Sequence, residues 1–338
     1  MGRCSLGVSR IEFLLMADAS PTHSGSPRLA DYVALLRPAQ WVKNVVVFAG
    51  PAAALRLFSV DGFSRSFLAF ACFCLVASAS YAINDCLDRR ADALHPVKKN
   101  RPIARGAISP GMAVMLAICL FLTGVLLAGL ALGPLVATVV SAYFLMILAY
   151  SIALKRQVLL DVIVIASGFV LRAWAGALAV GVVTSEWLIA CMFTLCLFMG
   201  FGKRRCELVM MGGAEQAGHH RKTLLQYTPD LLNHLITVSA GIAIVTFLLY
   251  TLDTTSTTAF RKEHLFFTLP VVVYGVFRYA MLCETGDFSG PTEIILKDRG
   301  MALTIMGWTA AALLIAYQES ILGPGAFDRW VDFLGISR

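Results

Sequence analysis

The sequence contains little charge and lacks the patterns that mark several common enzyme classes. Asp, Glu, Lys and Arg make up only 14% of its 338 residues. The nine cysteines include no CxxC pair, which argues against a disulfide framework and against a cysteine-based zinc site. A Gly-rich nucleotide fingerprint and a Gly-x-Ser-x-Gly nucleophile elbow are also missing. The chain is therefore not expected to bind a dinucleotide in the Rossmann manner or to use an elbow serine.

Apolar residues dominate instead, with 58% hydrophobic residues and a mean hydropathy of +0.75. This composition predicts an all-α integral membrane protein. Windows of roughly 20 apolar residues, enough to cross a bilayer core of about 30 Å, occur about nine times. They lie near 42–58, 65–83, 110–130, 134–153, 158–178, 186–201, 231–252, 264–282 and 301–320, and Gly50-Pro51 interrupts the first. We expect a polar, disordered segment at 1–30, a membrane domain at 31–322 and a short tail at 323–338.

Basic residues are distributed unequally between the loops that would lie on opposite sides of the membrane. The stretches 84–109 and 202–230 are rich in Lys and Arg, whereas 131–133 and 179–185 contain none. The positive-inside rule then places the basic loops in the cytoplasm, for a multi-pass protein of the inner membrane. The net charge of +7 is explained by this topology and by anion binding, so we expect no nucleic-acid partner. The sequence does not determine the oligomeric state, and a homo-oligomer is one of the possibilities.

An acidic run ends the second apolar segment, at Asn84-Asp85-Cys86-Leu87-Asp88-Arg89-Arg90-Ala91-Asp92. With about 100° of rotation per residue, Asn84, Asp88 and Asp92 share one side of a helix, and Asp85 lies within the same broad face. Carboxylates packed this closely attract a divalent cation, and oxygen ligands combined with substrate phosphates suit Mg²⁺. We predict that these four residues bind Mg²⁺; the alternative is a solvated helix end.

Further polar residues follow on the side predicted to be cytoplasmic. The loop after the acidic run carries Lys98, Lys99 and Arg101, cations that would grip a polyanion. Asp161, Gly168 and Arg172 share one face of the fifth segment. Because a guanidinium at that depth avoids lipid, Arg172 is expected to face a cavity or an anion, either a substrate phosphate or a structural partner.

A second charged run, Gly202-Lys203-Arg204-Arg205-Cys206-Glu207, ends the sixth segment, and Arg221 follows it. Arginine forks match phosphate oxygens, so the run is a candidate phosphate site. The alternative is an anchor at the membrane interface that also complements the helix dipole.

Three motifs together resemble the UbiA superfamily of intramembrane transferases. They are NDxxDxxxD at Asn84–Asp92, NRPIARG at Asn100–Gly106 and YSxxLK at Tyr150–Lys155. The resemblance implies about nine transmembrane helices around a cavity open to the cytosol. Where superfamily members that prenylate aromatic acceptors carry a second Asp-rich motif, this chain has GKRRCEL. That run, with Arg221–Thr228 and Asp161–Gly176, is similar to the decaprenyl-phosphate phosphoribosyltransferase branch.

The resemblance implies a Mg²⁺-dependent transfer of 5-phosphoribosyl from phosphoribosyl diphosphate to a polyprenyl phosphate, as a step towards a lipid-linked arabinofuranose donor. We assign direct catalytic roles to Asp88, Asp92, Lys98, Arg101 and Lys203. Substrate binding is assigned to Asn84, Asp85, Lys99, Tyr150, Lys155, Asp161, Arg172, Arg204, Glu207 and Arg221. The alternatives are an aromatic prenyltransferase that uses a prenyl diphosphate, and a transporter of lipid phosphates or organic anions.

Overall fold

The computed structural model describes residues 27–57, 59–95, 97–210, 224, 226–253 and 262–322, without the side chains of 262–263 and 318–322. These residues form helices and no strand. The first elements are α1 (Leu29–Leu36), a 3-10 helix (Pro38–Phe48) and α2 (Ala49–Ala53). The longer helices follow as α3 (Val60–Leu94), α4 (Pro110–Leu127), α5 (Pro134–Ile152), α6 (Leu160–Ala179), α7 (Glu186–Met210), α8 (Pro229–Leu252), α9 (Leu269–Thr285), α10 (Pro291–Lys297) and α11 (Arg299–Leu322).

Eight helices within the described part of the chain are long and apolar enough to cross a membrane. The all-helical membrane architecture is therefore confirmed, but the count of about nine is not. The difference lies at the predicted segment 42–58, which forms the end of the 3-10 helix and α2 in place of one long helix. The β-branched run Val45–Val47 disfavours the α conformation, and Pro51, which cannot donate a helical hydrogen bond, sits in the first turn of α2.

Proline and hydroxyl side chains mark where two of the membrane helices begin. Ser109 caps α4 by accepting a hydrogen bond from the Met112 amide at 3.3 Å, and Thr228 caps α8 in the same way from Leu231 at 3.1 Å. A proline follows each cap at the first helical position, where its missing N–H costs nothing. These signals fix the helix starts next to the charged loops.

Two helices extend well beyond their predicted apolar windows. Helix α3 has 35 residues, roughly 50 Å at 1.5 Å per residue, which exceeds a bilayer core of about 30 Å. Its last turns carry the acidic run, which is therefore helical throughout. Helix α7 likewise continues to Met210 and carries the run from Lys203 to Glu207. Each charged run is thus an extension of a membrane helix, which orients its side chains by helical phase.

The described residues form two compact units. The first combines residues up to Val45 with Phe67–Ala153, and the second combines Val46–Ser66 with residues from Leu154 onward. In the first unit α3 and α4 touch at Gly124, where a Cβ would lie 2.8 Å from Val76. In the second, a Cβ on Gly176 would lie 1.8 Å from the carbonyl oxygen of Val47. Glycine is required at such close approaches because any side chain would clash.

Candidate functional site

The acidic face of α3, which we define as Asn84, Asp85, Asp88 and Asp92, is unevenly buried. Asp85 is 2% exposed and Asp92 is 4% exposed, whereas Asn84 and Asp88 are partly exposed. The i, i+4, i+8 spacing places Asn84, Asp88 and Asp92 along one stripe of the helix, as the sequence predicts. Two of the three carboxylates therefore need a positive partner within the protein.

Two arginines supply that partner. Arg37, the residue that ends α1, places Nη2 2.5 Å from Oδ1 of Asp85 and stacks over the ring of Tyr81. Arg101 places Nη1 3.1 Å from the same Asp85 oxygen and 2.5 Å from Oδ2 of Asp92. Asp85 thus holds two guanidinium groups, and the predicted cation Arg101 joins both buried carboxylates.

The basic loop folds back onto the end of α3 through several contacts. Ile103 and Ile108 are buried, and His95 Nδ1 accepts hydrogen bonds from the amides of Val97 and Lys98. Arg105 forms an ion pair with Asp31 of α1. With Arg101 anchored, Lys98 is left partly exposed and Lys99 exposed. The loop therefore presents both lysines from a fixed backbone.

The acidic face does not form a carboxylate cage. Within the described residues, no three His, Cys, Asp or Glu side chains lie close enough together to hold a metal ion. Asp85 pairs with both Arg37 and Arg101, which makes it an anchor of these arginines; its role as a metal ligand stays a prediction. The remaining donors are all oxygens on one helical stripe, and Mg²⁺ needs only one or two carboxylates when a diphosphate completes its shell. This donor set fits a magnesium ion that arrives with a phosphorylated substrate.

In the second unit, a buried polar network joins the start of α6 to the end of α7. Asp161 is fully buried, and its Oδ2 lies 3.0 Å from Nε of Arg204. Arg204 is only 2% exposed, and its Nη1 donates to Oε2 of Glu207 at 2.5 Å. Tyr227, also fully buried, donates its hydroxyl to Oδ1 of Asp161 at 2.8 Å. Burial, followed by the adjacent Asp161 carboxylate, raises the pKa of the Tyr227 hydroxyl, which therefore stays protonated.

The two residues beside Arg204 make different contacts. Lys203 is exposed, with Nζ 3.8 Å from Oε1 of Glu207. A Cβ on Gly290 would lie 3.3 Å from Cγ of Lys203, so the loop before α10 packs against the lysine stem. Arg205 donates to the side chain of Asn233 on α8 at 2.9 Å. Of the predicted site residues here, Lys203 is accessible to a substrate, whereas the side chains of Asp161 and Arg204 are buried.

The remaining predicted residues are more dispersed. Tyr150 at the end of α5 and Lys155 in the 3-10 helix Leu154–Arg156 are both partly buried. Asp161, Gly168 and Arg172 all lie on the buried face of α6, which confirms the predicted phase. Arg172 is 5% exposed; its Nη1 donates to the carbonyl oxygen of Gly168 at 2.9 Å, and its guanidinium lies over the ring of Phe169. Arg221 lies outside the described residues.

Sequence reasoning missed Arg37 and did not assign a role to Tyr227. Arg37 is 48 residues from Asp85, and Tyr227 is 66 residues from Asp161. Neither side chain belongs to a local charged run, so periodicity gives no signal for the pairing. A buried carboxylate at a helix start, such as Asp161, does indicate that some distant donor must exist.

An apolar cavity of about 550 Å³ lies within the second unit. It is bordered by α2, α7, α8, α9, α10 and α11 and by the 3-10 helix Lys262–Thr268. Its lining includes Ala49, Leu195, Phe247, Val276 and Trp308. Because nearly all of its lining is apolar, its occupant must be hydrocarbon-like.

Comparison with known proteins agrees with this architecture. The model of the UbiA prenyltransferase family matches residues 45–291. A decaprenyl-phosphate phosphoribosyltransferase of Corynebacterium glutamicum is 34% identical, with 86% of this chain and 88% of the relative covered. The enzyme of the same name from Mycobacterium tuberculosis H37Rv is 35% identical, over 87% of this chain and 97% of the relative.

Solved structures share the fold. A UbiA homolog from Archaeoglobus fulgidus bound to DMAPP and Mg²⁺ aligns with a TM-score of 0.63 at 18% identity, covering 83% of this chain and 98% of that one. The same homolog bound to GPP and Mg²⁺ gives 0.62 at 16% identity, covering 85% and 98%. The resemblance inferred from the motifs is confirmed. This multi-pass membrane protein belongs to the UbiA prenyltransferase family.

Proposed function

We propose that the protein transfers the 5-phosphoribosyl group of phosphoribosyl diphosphate to a polyprenyl phosphate and releases diphosphate. Relatives named for this activity on decaprenyl phosphate are about one third identical across most of both chains. The observation that carries the proposal is the cluster on α7, where Lys203, Arg204 and Glu207 occupy the place at which a second Asp-rich motif would serve a prenyl-diphosphate donor. A donor with phosphate at both ends needs one acidic, metal-binding cluster and one cationic cluster.

The diphosphate end of the donor is assigned to α3. Asn84, Asp88 and Asp92 would hold Mg²⁺, whose charge neutralises the departing diphosphate. Lys98 and Lys99 belong to the loop that Arg101 ties to Asp92, and they would add charge-assisted hydrogen bonds to the diphosphate. Arg101 binds Asp92 and orients that carboxylate while contributing its own charge.

The sugar-phosphate end of the donor is assigned to α7. Lys203 is the exposed cation of the cluster and binds the 5-phosphate. Glu207 lies beside it, its carboxylate held by Arg204. The buried Asp161–Arg204 ion pair holds Glu207 in place, and Glu207 in turn lies beside Lys203. Substrate binding is also assigned, because they lie in the motifs shared with the family, to Tyr150, Lys155, Arg172 and Arg221.

The reaction itself requires little acid-base chemistry. The bond between the anomeric carbon and the diphosphate oxygen breaks with its electron pair passing to diphosphate. An oxygen of the lipid phosphate forms the new bond to that carbon from the opposite face. The lipid phosphate carries roughly −1.5 to −2 charge at neutral pH, so it attacks without a dedicated base. The chain's own contribution is to position both polyanions and to stabilise the leaving group.

The acceptor lipid is assigned to the apolar cavity of the second unit, which would take part of the polyprenyl chain. The positive-inside rule places the charged loops, and hence the transfer, at the cytoplasmic face of the inner membrane. Phosphoribosyl diphosphate would then enter from the cytoplasm, while the polyprenyl chain of the acceptor stays in the bilayer.

A two-substrate assay tests the proposal. Purified protein in detergent receives Mg²⁺, phosphoribosyl diphosphate and decaprenyl phosphate, alone and in combination, and diphosphate release is measured. Release only when all three are present is the expected result. Release with a prenyl diphosphate and an aromatic acceptor in place of these substrates would point to the prenyltransferase activity, and binding without turnover would point to a transporter.

A further inference from the structure

Tyr227 joins two segments of the second unit through a single buried hydroxyl. The hydroxyl donates to Oδ1 of Asp161 and accepts a hydrogen bond from the amide of Leu159, both at 2.8 Å. Leu159 has a φ of 68°, a left-handed conformation that non-glycine residues rarely adopt and that surrounding contacts must maintain. The tyrosine therefore holds the turn that begins α6 and also the carboxylate that the turn presents.

From Asp161 the contacts continue towards the protein surface. Asp161 uses its second oxygen on Nε of Arg204, and Arg204 uses Nη1 on Glu207. The side chains of Asp161 and Arg204 are 0% and 3% exposed, whereas that of Glu207 is 19% exposed and that of Lys203 is 49% exposed. Glu207 is thus the first member of the series that solvent or a substrate reaches. Arg204 thus lies between two carboxylates, in an ion-pair contact with Asp161 at Nε and a hydrogen bond to Glu207 at Nη1, so a shift of Asp161 changes the position from which Glu207 is held.

We propose that Tyr227 is a positioning residue of the transfer reaction, acting through Asp161 and Arg204 to fix Glu207 beside Lys203. The inference rests on the proposed function, because that function assigns the pair Lys203 and Glu207 to the sugar-phosphate end of the donor. Tyr227 does not touch the substrate; it determines the geometry of the groups that do.

The ring and the hydroxyl of Tyr227 have separable roles. The ring packs in a buried cluster with Leu224 and Leu232, so it is anchored without the hydroxyl. Tyr227→Phe therefore retains the packing and removes only the hydrogen bonds to Asp161 and Leu159. Removing a hydrogen bond to a charged group commonly changes an equilibrium by roughly ten-fold.

The test measures kinetics and thermal unfolding of Tyr227→Phe in detergent. We expect the KM for phosphoribosyl diphosphate to rise about ten-fold while the KM for decaprenyl phosphate stays within about two-fold. In a Glu207→Gln background the same substitution should add little, because the series of contacts then no longer ends on a carboxylate. Tyr143→Phe, another buried tyrosine, packed on Phe73 of the first unit, is the matched control and should leave the donor KM unchanged.

Several outcomes would overturn the positioning role. They are an unchanged donor KM in Tyr227→Phe, an equal rise for both substrates, or full additivity with Glu207→Gln. If Tyr227→Phe unfolds more readily, Asp161→Asn must reproduce the donor-specific rise, and its failure to do so would also overturn the role. A wild-type protein that shows no two-substrate turnover would instead refute the proposed function.

Discussion

Asp85 and Asp88 lie one helical turn apart, yet the structure predicts opposite consequences when each is replaced by asparagine. Asp85 is buried between Arg37 and Arg101, at 2.5 and 3.1 Å, so we expect Asp85→Asn to lower stability. Asp88 is partly exposed on the stripe assigned to the metal, so we expect Asp88→Asn to fold normally and to lose Mg²⁺-dependent turnover.

The expected size of the Asp85 effect follows from burial. Breaking a fully buried ion pair costs about 3–5 kcal/mol, because a charge is left without its partner. Asp85 is 2% exposed, but its two arginines are 21% and 25% exposed and can be partly hydrated after the change. We therefore expect Asp85→Asn to reduce the free energy of unfolding by about 2–3 kcal/mol.

Two measurements separate the roles. Thermal unfolding in detergent should show a lower midpoint for Asp85→Asn and a wild-type midpoint for Asp88→Asn. A Mg²⁺ titration of turnover should show a displaced or absent response for Asp88→Asn, whereas folded Asp85→Asn should retain the wild-type Mg²⁺ dependence. If Asp85→Asn had normal stability and the same Mg²⁺ defect as Asp88→Asn, Asp85 would be a metal ligand and its role as anchor would be refuted.

Three other predictions concern packing, pH and topology. Gly176→Ala should destabilise the protein because its Cβ would meet the opposing backbone at 1.8 Å, whereas Gly241→Ala, with nothing within 4 Å, should be neutral or stabilising in thermal unfolding. The hydrogen bond from Arg278 is the main cause that lowers the pKa of Asp298 below its usual 3.8. The stability that this carboxylate contributes is therefore fully present above pH 3.8 and is lost as the pH falls through the lowered pKa; Asp298→Asn should lower the unfolding midpoint at pH 7, and its effect should shrink as the pH falls below 3.8. Cys86 and Cys206 are buried, so topology is better tested with cysteines introduced at the exposed positions Asn100 and Val183; an impermeant thiol reagent on intact cells should label Val183→Cys and miss Asn100→Cys, and the reverse pattern would invert the topology.

The sequence predicted the elements whose signals are local. Apolar windows located the membrane helices, and helical phase correctly placed the acidic stripe on α3 and the buried face of α6 that contains Arg172. The windows ended too early at α3 and α7, because a helix continues into charged residues when it no longer lies in lipid. Hydropathy detects the residues that lie in lipid, and it gives no signal for the part of a helix that continues beyond the bilayer.

The partners of the buried charges could not be predicted in the same way. Asp85 and Asp161 were assigned to metal or substrate, which stays a prediction; their ion pairs with Arg37 and Arg204 within the protein were not predicted. Each pairing joins residues far apart in sequence, and neither periodicity nor composition encodes it. The assignments of Lys98 and Lys203 to the substrates stay predictions, supported by their accessible positions beside these ion pairs.

The most direct test of the proposed function is the chemical identity of the lipid product. Decaprenyl phosphate is incubated with the purified protein, Mg²⁺ and phosphoribosyl diphosphate that carries isotopic label in the ribose and, separately, in the diphosphate. Mass spectrometry of the extracted lipid should show a decaprenyl phosphate that has gained one labelled phosphoribosyl group and no label from the diphosphate. An unmodified lipid, or a lipid that carries the diphosphate label, would contradict the proposed transfer.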